Sequence, residues 1–193
     1  MKVVPFGVDT DKIQPQTGSE WVGYHIGAMD WLPNAEGINW FLKEAWPQIH
    51  QLHPEFTFHF AGRKMSESFM KANIAGVKCY GEVPDANAFI ADKKILIVPL
   101  RSGGGIRVKI LEAMAMGKIV ISTTIGMQGI DAIPGTHFLE VNTPHQFSEA
   151  INWVLSNRKA AELIGTNAAA LIHEKYDANS IQKALITWLE THR

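Results

Sequence analysis

Three consecutive glycines, Gly103, Gly104 and Gly105, interrupt the sequence between two apolar runs, residues 95–98 and 119–121. Because glycine has no side chain, such a stretch lets the backbone turn sharply and come close to a ligand. The helix predicted to follow the glycines directs its free N–H groups and the positive end of its dipole back at the turn, where an anion is favoured. The segment therefore predicts a strand, a close turn and a helix whose start forms an anion site.

Charged residues around the turn agree with that prediction. Arg107 and Lys109 stand at the start of the predicted helix, Arg101 precedes the glycines, and Glu112 follows Lys109 by one helical turn. Together they predict a phosphate site with a carboxylate behind it. Two simpler interpretations stay open. The glycines could form only a tight strand-to-helix connection, and Lys109 and Glu112 could be a surface ion pair worth a few tenths of a kcal/mol.

Composition excludes several classes of protein. The 193 residues, 46% of them hydrophobic, are enough for one sizeable core, and we expect one domain. A net charge of −1 excludes a general electrostatic footprint for nucleic acid. The single cysteine, Cys79, excludes an intrachain disulfide. The eight histidines are scattered without a cysteine or carboxylate cluster, so we expect no metal site.

The sequence also lacks the marks of a membrane or secreted protein. No apolar run approaches the roughly 18–20 residues needed to span a bilayer, and the N-terminus has no signal-peptide layout. We therefore expect a cytoplasmic protein with no membrane span in this chain.

Short apolar runs alternate with amphipathic segments along the whole chain. The predicted strands are residues 21–27, 56–60, 77–80, 95–98, 119–122 and 138–141. Six such strands separated by helices predict an α/β fold, a three-layer sandwich with a central parallel sheet and helices on both faces. Ligands of such sheets bind at the carboxyl ends of the strands. The turns after Gly27, Gly62, Gly81, Pro99 and Ser122 all open at that edge.

Several residues mark helix boundaries. We expect Asn34 to cap the first helix and Pro47 to kink or break it, because proline removes a helical N–H. Asp85 is the expected cap of a short helix. Thr143, followed by proline and then by a glutamine at the third helical position, predicts a capping box. Asp177 is expected to open the last helix, which covers residues 178–191.

The predicted turns, taken together, resemble the donor-binding half of GT-B glycosyltransferases of the large retaining "group 1" or family-4 type. The resemblance covers nearly the whole chain and is strongest over residues 111–120, Leu-Glu-Ala-Met-Ala-Met-Gly-Lys-Ile-Val. It also includes, in the family's order, residues 4–9, 27–34, 61–63, 81–83 and 98–107. The resemblance implies a Rossmann-like domain at residues 19–176, preceded by an interdomain linker at 1–18 and closed by a C-terminal helix at 177–193.

The resemblance further implies the binding of a nucleotide diphosphate sugar, a UDP- or GDP-sugar, without a tightly bound cofactor or metal. By motif position Glu112 resembles the carboxylate that accepts hydrogen bonds from the ribose hydroxyls. The remaining donor-binding positions that match are Gly103, Gly104, Gly105, Ile106, Arg63, Glu82 and Val83. Group 1 enzymes transfer a hexosyl group with retained configuration, so the resemblance implies a glycosyltransferase.

Two departures from the family pattern affect the site. Relatives commonly carry two glutamates separated by seven residues, and counting back from Glu112 puts Gly104 at the first position. Many relatives also carry an arginine and a lysine where this chain has Met29 and Glu36. Because the departing nucleoside diphosphate needs its charge stabilised, we expect Arg107 and Lys109, assisted by Arg101, to supply the lost positive charge.

The chain corresponds to about one half of a GT-B enzyme. We therefore expect the acceptor to be held by a missing N-terminal domain, and the isolated chain to bind donor weakly, if at all, and to transfer no sugar. That half could also attach the enzyme to the inner face of the membrane. The alternatives left open are half of a nucleotide-sugar epimerase and a non-catalytic nucleotide-binding or interaction module, the latter favoured if Trp31, Trp40 or Trp188 is exposed.

Overall fold

A computed structural model describes residue 4 and residues 6–13 and 18–191. Its six strands form one sheet in which every pairing is parallel, in the order β3-β2-β1-β4-β5-β6. The strands are β1 (Glu20–Ile26), β2 (Phe58–Ala61), β3 (Val77–Cys79), β4 (Lys93–Val98), β5 (Ile119–Ser122) and β6 (Leu139–Glu140). The predicted α/β fold and its six strands are confirmed. The strand order reverses between β1 and β4, and such a reversal opens a crevice at the carboxyl edge of a sheet.

Helices cover both faces of the sheet. They are α1 (Leu32–Trp40), α2 (Trp46–Leu52), α3 (Glu67–Met70), α4 (Ala86–Ile90), α5 (Val108–Ala115), α6 (Pro144–Ser156), α7 (Arg158–Lys175) and α8 (Ala178–Thr191). Side chains alternate along β4, so Ile95 and Ile97 join the apolar cluster under α1, α2 and α6. Leu96 and Val98 join the cluster under α5 and α7. This alternation produces the predicted three-layer sandwich.

The helix caps follow local chemistry at three of the predicted positions. Asp85 accepts hydrogen bonds from the N–H groups of Asn87 and Ala88. Thr143 and Gln146 form the complete capping box. The carboxylate of Asp177 accepts from the N–H of Ser180 at 2.8 Å. Each of these caps acts within three residues of chain, which is why sequence predicts them.

The first helix differs from the prediction at its start. Helix α1 begins at Leu32 with Trp31 at the N-cap position, so the expectation that Asn34 caps it is wrong. Pro33 occupies the first turn, where its missing N–H costs nothing. Asn34 is therefore carried inside the helix, where it is 5% exposed.

The α-helix is interrupted just before Pro47, where a kink or break was predicted, although the backbone stays helical from residue 32 to residue 52. A π-helical turn, Phe41–Ala45, separates α1 from α2, which begins one residue before the proline. Proline cannot supply the N–H that a continuous α-helix would require at that position, and the wider turn takes up the mismatch.

The N-terminal part of the chain is attached to the junction of α7 and α8. Val8 donates its N–H to the carbonyl of Tyr176 at 2.8 Å and accepts from the N–H of Ala178 at 2.9 Å. The hydroxyl of Thr10 donates to the Asp177 carboxylate at 2.6 Å. The predicted linker, residues 1–18, lies partly outside the described residues. Its described part is held against the start of the last helix by these bonds.

Candidate functional site

The turns at the carboxyl ends of the first three strands are bonded to one another. The N–H of Met29 donates to the carbonyl of Arg63 at 2.9 Å, and the N–H of Gly62 donates to the carbonyl of Gly81 at 2.8 Å. A Cβ atom on Gly62 would lie 1.8 Å from the carbonyl oxygen of Gly27, so only glycine allows the turns after β1 and β2 to approach this closely. The turns form one continuous rim beside the β1/β4 crevice.

The glycine turn follows β4 at the same edge. Gly103 and Gly105 have φ angles of +102° and +85°, which side-chain-bearing residues rarely adopt. A Cβ atom on Gly104 or Gly105 would meet no atom within 4 Å, whereas one on Gly103 would lie 3.0 Å from Nη2 of Arg107. All three glycines are exposed. The turn therefore presents open backbone on one side and packs against Arg107 on the other.

Arg107 is turned back onto this loop. Arg107 is only 7% exposed. Its Nη1 donates to the carbonyl of Gly105 at 2.8 Å and also to the carbonyl of Gly104. The guanidinium carbon lies 4.8 Å from the centre of the Trp31 ring, within the range of a cation–π contact. Within the described part of the chain, the buried Nε and Nη2 atoms have no hydrogen-bond partner. Buried hydrogen-bond donors normally have an acceptor, so these two nitrogens indicate a position at which an acceptor is missing.

Lys109 points under the turn that follows β1. Its ammonium lies 3.0 Å from Oδ1 of Asn34 and 3.2 Å from Nε2 of His25. A Cβ on Gly27 would lie 3.1 Å from the same nitrogen. Among the described residues Lys109 has no carboxylate partner, so the alternative of an ion pair with Glu112 is not observed. Burial and the charge of Arg107 lower the pKa of Lys109 to about 7.

His25 and Asn34 are site residues that sequence reasoning missed. His25 lies near the end of β1, is fully buried, and has its Nδ1 2.9 Å from the carbonyl oxygen of Ile97. A carbonyl only accepts, so Nδ1 carries the proton and Nε2 presents a lone pair to Lys109. Burial, followed by the nearby Lys109 charge, lowers the pKa of His25 well below its ordinary value. Asn34 donates from Nδ2 to the carbonyl of Ala28 at 2.9 Å, which leaves Oδ1 to face Lys109.

Glu112 lies one turn further along α5 and is exposed. It forms no ion pair with any described residue. Partial burial of the carboxyl raises the pKa of Glu112. Its charge also adds to the burial that raises the pKa of Tyr24, whose hydroxyl lies in the core without a described partner. Glu112 is thus a carboxylate open to a ligand.

The other predicted donor-binding residues lie around the same edge with different partners. Arg101 is exposed and its guanidinium carbon stands 5.3 Å from the centre of the Trp40 ring. Arg63 and Glu82 are exposed on the turns after β2 and β3, and Val83 packs its side chain against the apolar core.

Ile106 packs beside Gly129, where a Cβ would meet its side chain at 2.9 Å. At the two positions where relatives carry cations, Met29 is a 6% exposed core residue and Glu36 is exposed on α1. Neither residue supplies positive charge to the glycine turn.

The arrangement can bind an anion through bare backbone, a buried guanidinium and an ammonium. It can accept hydroxyl hydrogen bonds through Glu112 one turn away. No group of three or more histidine, cysteine, aspartate or glutamate side chains in the described ranges could hold a metal ion. Among the described helices, none combines the length and apolar character required to cross a bilayer.

A sequence model of the family described as "Glycosyl transferases group 1" matches residues 22–157, which include every strand from β2 to β6 and the whole candidate site. The chain belongs to the group 1 glycosyl transferases. A curated relative, an uncharacterized 44.6 kDa protein in the cps region of Klebsiella pneumoniae, is 26% identical over 157 residues. That match covers 77% of this chain and 40% of the relative, so the chain spans less than half of that protein.

Solved structures share the fold of this group 1 domain. The C-terminal domain of the group 1 family protein LpcC from Francisella tularensis superposes with a TM-score of 0.73 at 18% identity, over 89% of this chain and 100% of that one. Anabaena HepE, solved in complex with UDP-glucose, superposes with a TM-score of 0.75 at 16% identity, over 98% of this chain and 57% of HepE. The predicted resemblance to the C-terminal half of GT-B glycosyltransferases is confirmed.

Proposed function

We propose that this domain binds the nucleoside diphosphate sugar of a retaining glycosyltransferase, holding the diphosphate at the glycine turn and the ribose at Glu112. One observation carries the proposal. Arg107 is buried beside open backbone, and no described residue accepts a hydrogen bond from its donor nitrogens Nε and Nη2. A bound phosphate supplies acceptor oxygens in the geometry that a guanidinium prefers.

The charge balance at this edge supports the same assignment. Met29 and Glu36 provide no cation, whereas Arg107 and Lys109 both lie at the β1/β4 crevice. In glycosyl transfer, negative charge develops on the departing diphosphate. Donors fixed in advance stabilise that charge without waiting for solvent, and removing one such donor from an enzyme costs about 3–4 kcal/mol in the barrier.

The solved and curated relatives support the assignment of the donor class and of a separate acceptor domain. HepE was crystallised with UDP-glucose, and we assign a UDP- or GDP-hexose to this domain. The chain spans 57% of HepE and 40% of the Klebsiella relative, so in the proposed enzyme a further domain holds the acceptor. We place the enzyme in the cytoplasm. Family membership favours transfer over the epimerase alternative.

Titration of the ¹⁵N-labelled chain with millimolar UDP, GDP and ADP, followed by NMR, tests the proposal. We expect one nucleotide to shift the amide signals of Gly103, Gly104 and Gly105. Replacement of Arg107 or Glu112 by alanine should weaken that binding about 10- to 100-fold, because each change removes a charge-assisted hydrogen bond.

Arg158→Ala is the matched control. Arg158, at the start of α7, lies over the Trp21 ring with its guanidinium carbon 4.9 Å from the ring centre. It therefore makes the same kind of arginine–tryptophan contact as Arg107 makes with Trp31. We expect this variant to bind like the wild type. Absence of amide shifts at the glycine turn with all three nucleotides, or unchanged binding by folded Arg107→Ala protein, would contradict the proposed function.

A further inference from the structure

Lys109, which is partly buried, differs from the three buried lysines in the partners it has. Lys93 contacts the carboxylate of Asp92 at 2.8 Å, and Lys94 contacts that of Glu162 at 2.5 Å. Lys118 donates to three backbone carbonyls. Lys109 instead contacts one imidazole nitrogen and one amide oxygen, both uncharged. The positive charge at this position therefore has no counter-charge in the described protein.

The groups that face Lys109 come from every element packed around it. From β1, His25 presents a neutral ring whose tautomer is set by the carbonyl of Ile97 on β4. From α1, Asn34 presents an amide that is oriented by the carbonyl of Ala28. From the residue before α5, Arg107 adds a like charge that disfavours protonation of Lys109. Glu112, one turn along the same helix, does not contact the ammonium.

These neutral contacts position the ammonium without neutralising it. His25 and Asn34 are held by their own bonds to backbone carbonyls, so both acceptors are preorganised toward one point under Gly27. That point lies where the strand order reverses, which is where ligands of such sheets bind. A diphosphate bound there brings the negative charge that the protein does not supply.

We propose that His25 and Asn34 are positioning residues that hold the amine of Lys109 without a counter-charge, so that donor binding at this site takes up a proton on Lys109. The proposal rests on the proposed function and assigns the site a specific pH dependence. In the free protein the amine loses its proton readily, since burial and Arg107 lower its pKa to about 7. In the complex the diphosphate favours the ammonium, and affinity falls as pH rises.

The affinity of the chain for UDP-glucose and GDP-glucose, measured by NMR titration across pH, tests this coupling. A diphosphate esterified at both ends does not itself titrate near neutrality, so any pH dependence belongs to the protein. We expect the wild-type dissociation constant to rise about tenfold for each pH unit above about pH 7, until it reaches the value for Lys109→Met. Lys109→Arg, which stays charged, should bind with no such dependence.

The variant Asn34→Asp tests whether Asn34 positions the amine of Lys109 or only supports the fold. The new carboxylate would face the ammonium and give Lys109 an internal counter-charge, so we expect weaker binding whose pH dependence has disappeared. If Asn34 only supported the fold, the variant would lose thermal stability and keep the wild-type pH profile, which would overturn the proposal.

The outcomes separate the two proposals. Wild-type binding that is independent of pH overturns the coupling and leaves the donor site intact. Failure of both nucleotide sugars to shift the amides of the glycine turn at any pH overturns the donor site, and the coupling with it.

Discussion

The guanidinium of Arg107 lies against the indole ring of Trp31, with 4.8 Å between the guanidinium carbon and the ring centre. Trp31 stands at the N-cap position of α1, after β1, and Arg107 stands at the N-cap position of α5, after β4. The pair therefore connects the turns that follow β1 and β4, the two neighbouring strands at which the strand order reverses. Trp31, 37% exposed, packs over the residue that we assign to the diphosphate.

Trp31→Ala should weaken nucleotide binding although the tryptophan contributes no charge. The ring holds the guanidinium against the glycine turn, and a cation–π contact of this kind is worth about 0.5–2 kcal/mol, or roughly a 2- to 30-fold change in affinity. NMR titration with the nucleotide that binds wild type measures the change. Trp31→Phe should retain part of the affinity. Trp21→Ala, which removes the ring under Arg158, should leave binding unchanged.

Alanine substitutions at Gly104 and Gly105 should have different effects on stability. Both sites have room for a Cβ atom, but Gly105 has a φ of +85° whereas Gly104 has no positive φ. We expect Gly105→Ala to lower the free energy of unfolding by about 1–2 kcal/mol and Gly104→Ala to change it little. Urea unfolding measures both values.

The same two variants test the role of the open backbone in binding. The positive φ of Gly105 means that Gly105→Ala shifts the backbone that faces the diphosphate, so the folded variant should bind nucleotide more weakly. Gly104→Ala should bind like the wild type, because relatives commonly carry a glutamate at this position. Wild-type affinity in Gly105→Ala would show that the phosphate does not approach the turn at that residue.

Lys118→Met should destabilise the fold without affecting the site directly. The Lys118 ammonium is fully buried and donates to the carbonyls of Ile90, Ala91 and Lys93 at 2.8–3.0 Å, at the amino edge of the sheet. A buried acceptor left without a partner costs about 1–3 kcal/mol, so we expect a loss of at least about 2 kcal/mol in urea unfolding. Lys159→Met, an exposed position on α7, is the control and should change stability little.

Asp177 should make stability depend on acid pH. Hydrogen bonds from Thr10 and Ser180 lower the pKa of its carboxyl from 3.8 to about 2. A carboxyl whose folded pKa lies below its unfolded value stabilises the fold above about pH 4 and loses that contribution as pH falls toward 2.

Asp177→Asn should therefore flatten the acid part of the stability curve, as measured by urea unfolding between about pH 5 and about pH 2. Glu44→Gln, at an exposed position, should leave the curve unchanged. Equal acid sensitivity of wild type and Asp177→Asn would show that the bonds to Thr10 and Ser180 do not stabilise the carboxylate.

Much of the fold could be predicted because its signals are local. The capping box at Thr143 and the cap at Asp85 each involve partners within three residues. The alternation of apolar residues along β4 shows which side chains face each layer. The glycine turn, Arg107, Lys109 and Glu112 could be proposed as a site for the same reason, since they occupy one short stretch of chain.

The partners of those site residues come from distant parts of the chain. The sequence predicts Asn34 as a helix cap. In the structure Asn34 lies buried within α1, and its side-chain amide contacts Lys109, which is 75 residues away in the sequence. His25 is one histidine among eight until the β1/β4 pairing places its ring between Ile97 and Lys109. Neither role leaves a local pattern, because each depends on which strands are neighbours.

Local sequence was enough to predict the layered fold, the helix caps at Asp85 and Thr143, and the glycine turn with its basic residues, because neighbours along the chain set the backbone conformation and the amphipathic period. The return of Arg107 onto the glycine carbonyls and the neutral partners of Lys109 could be found only in the folded molecule. Those contacts depend on the strand order and on the seating of α1 and α5, which result from packing the whole core.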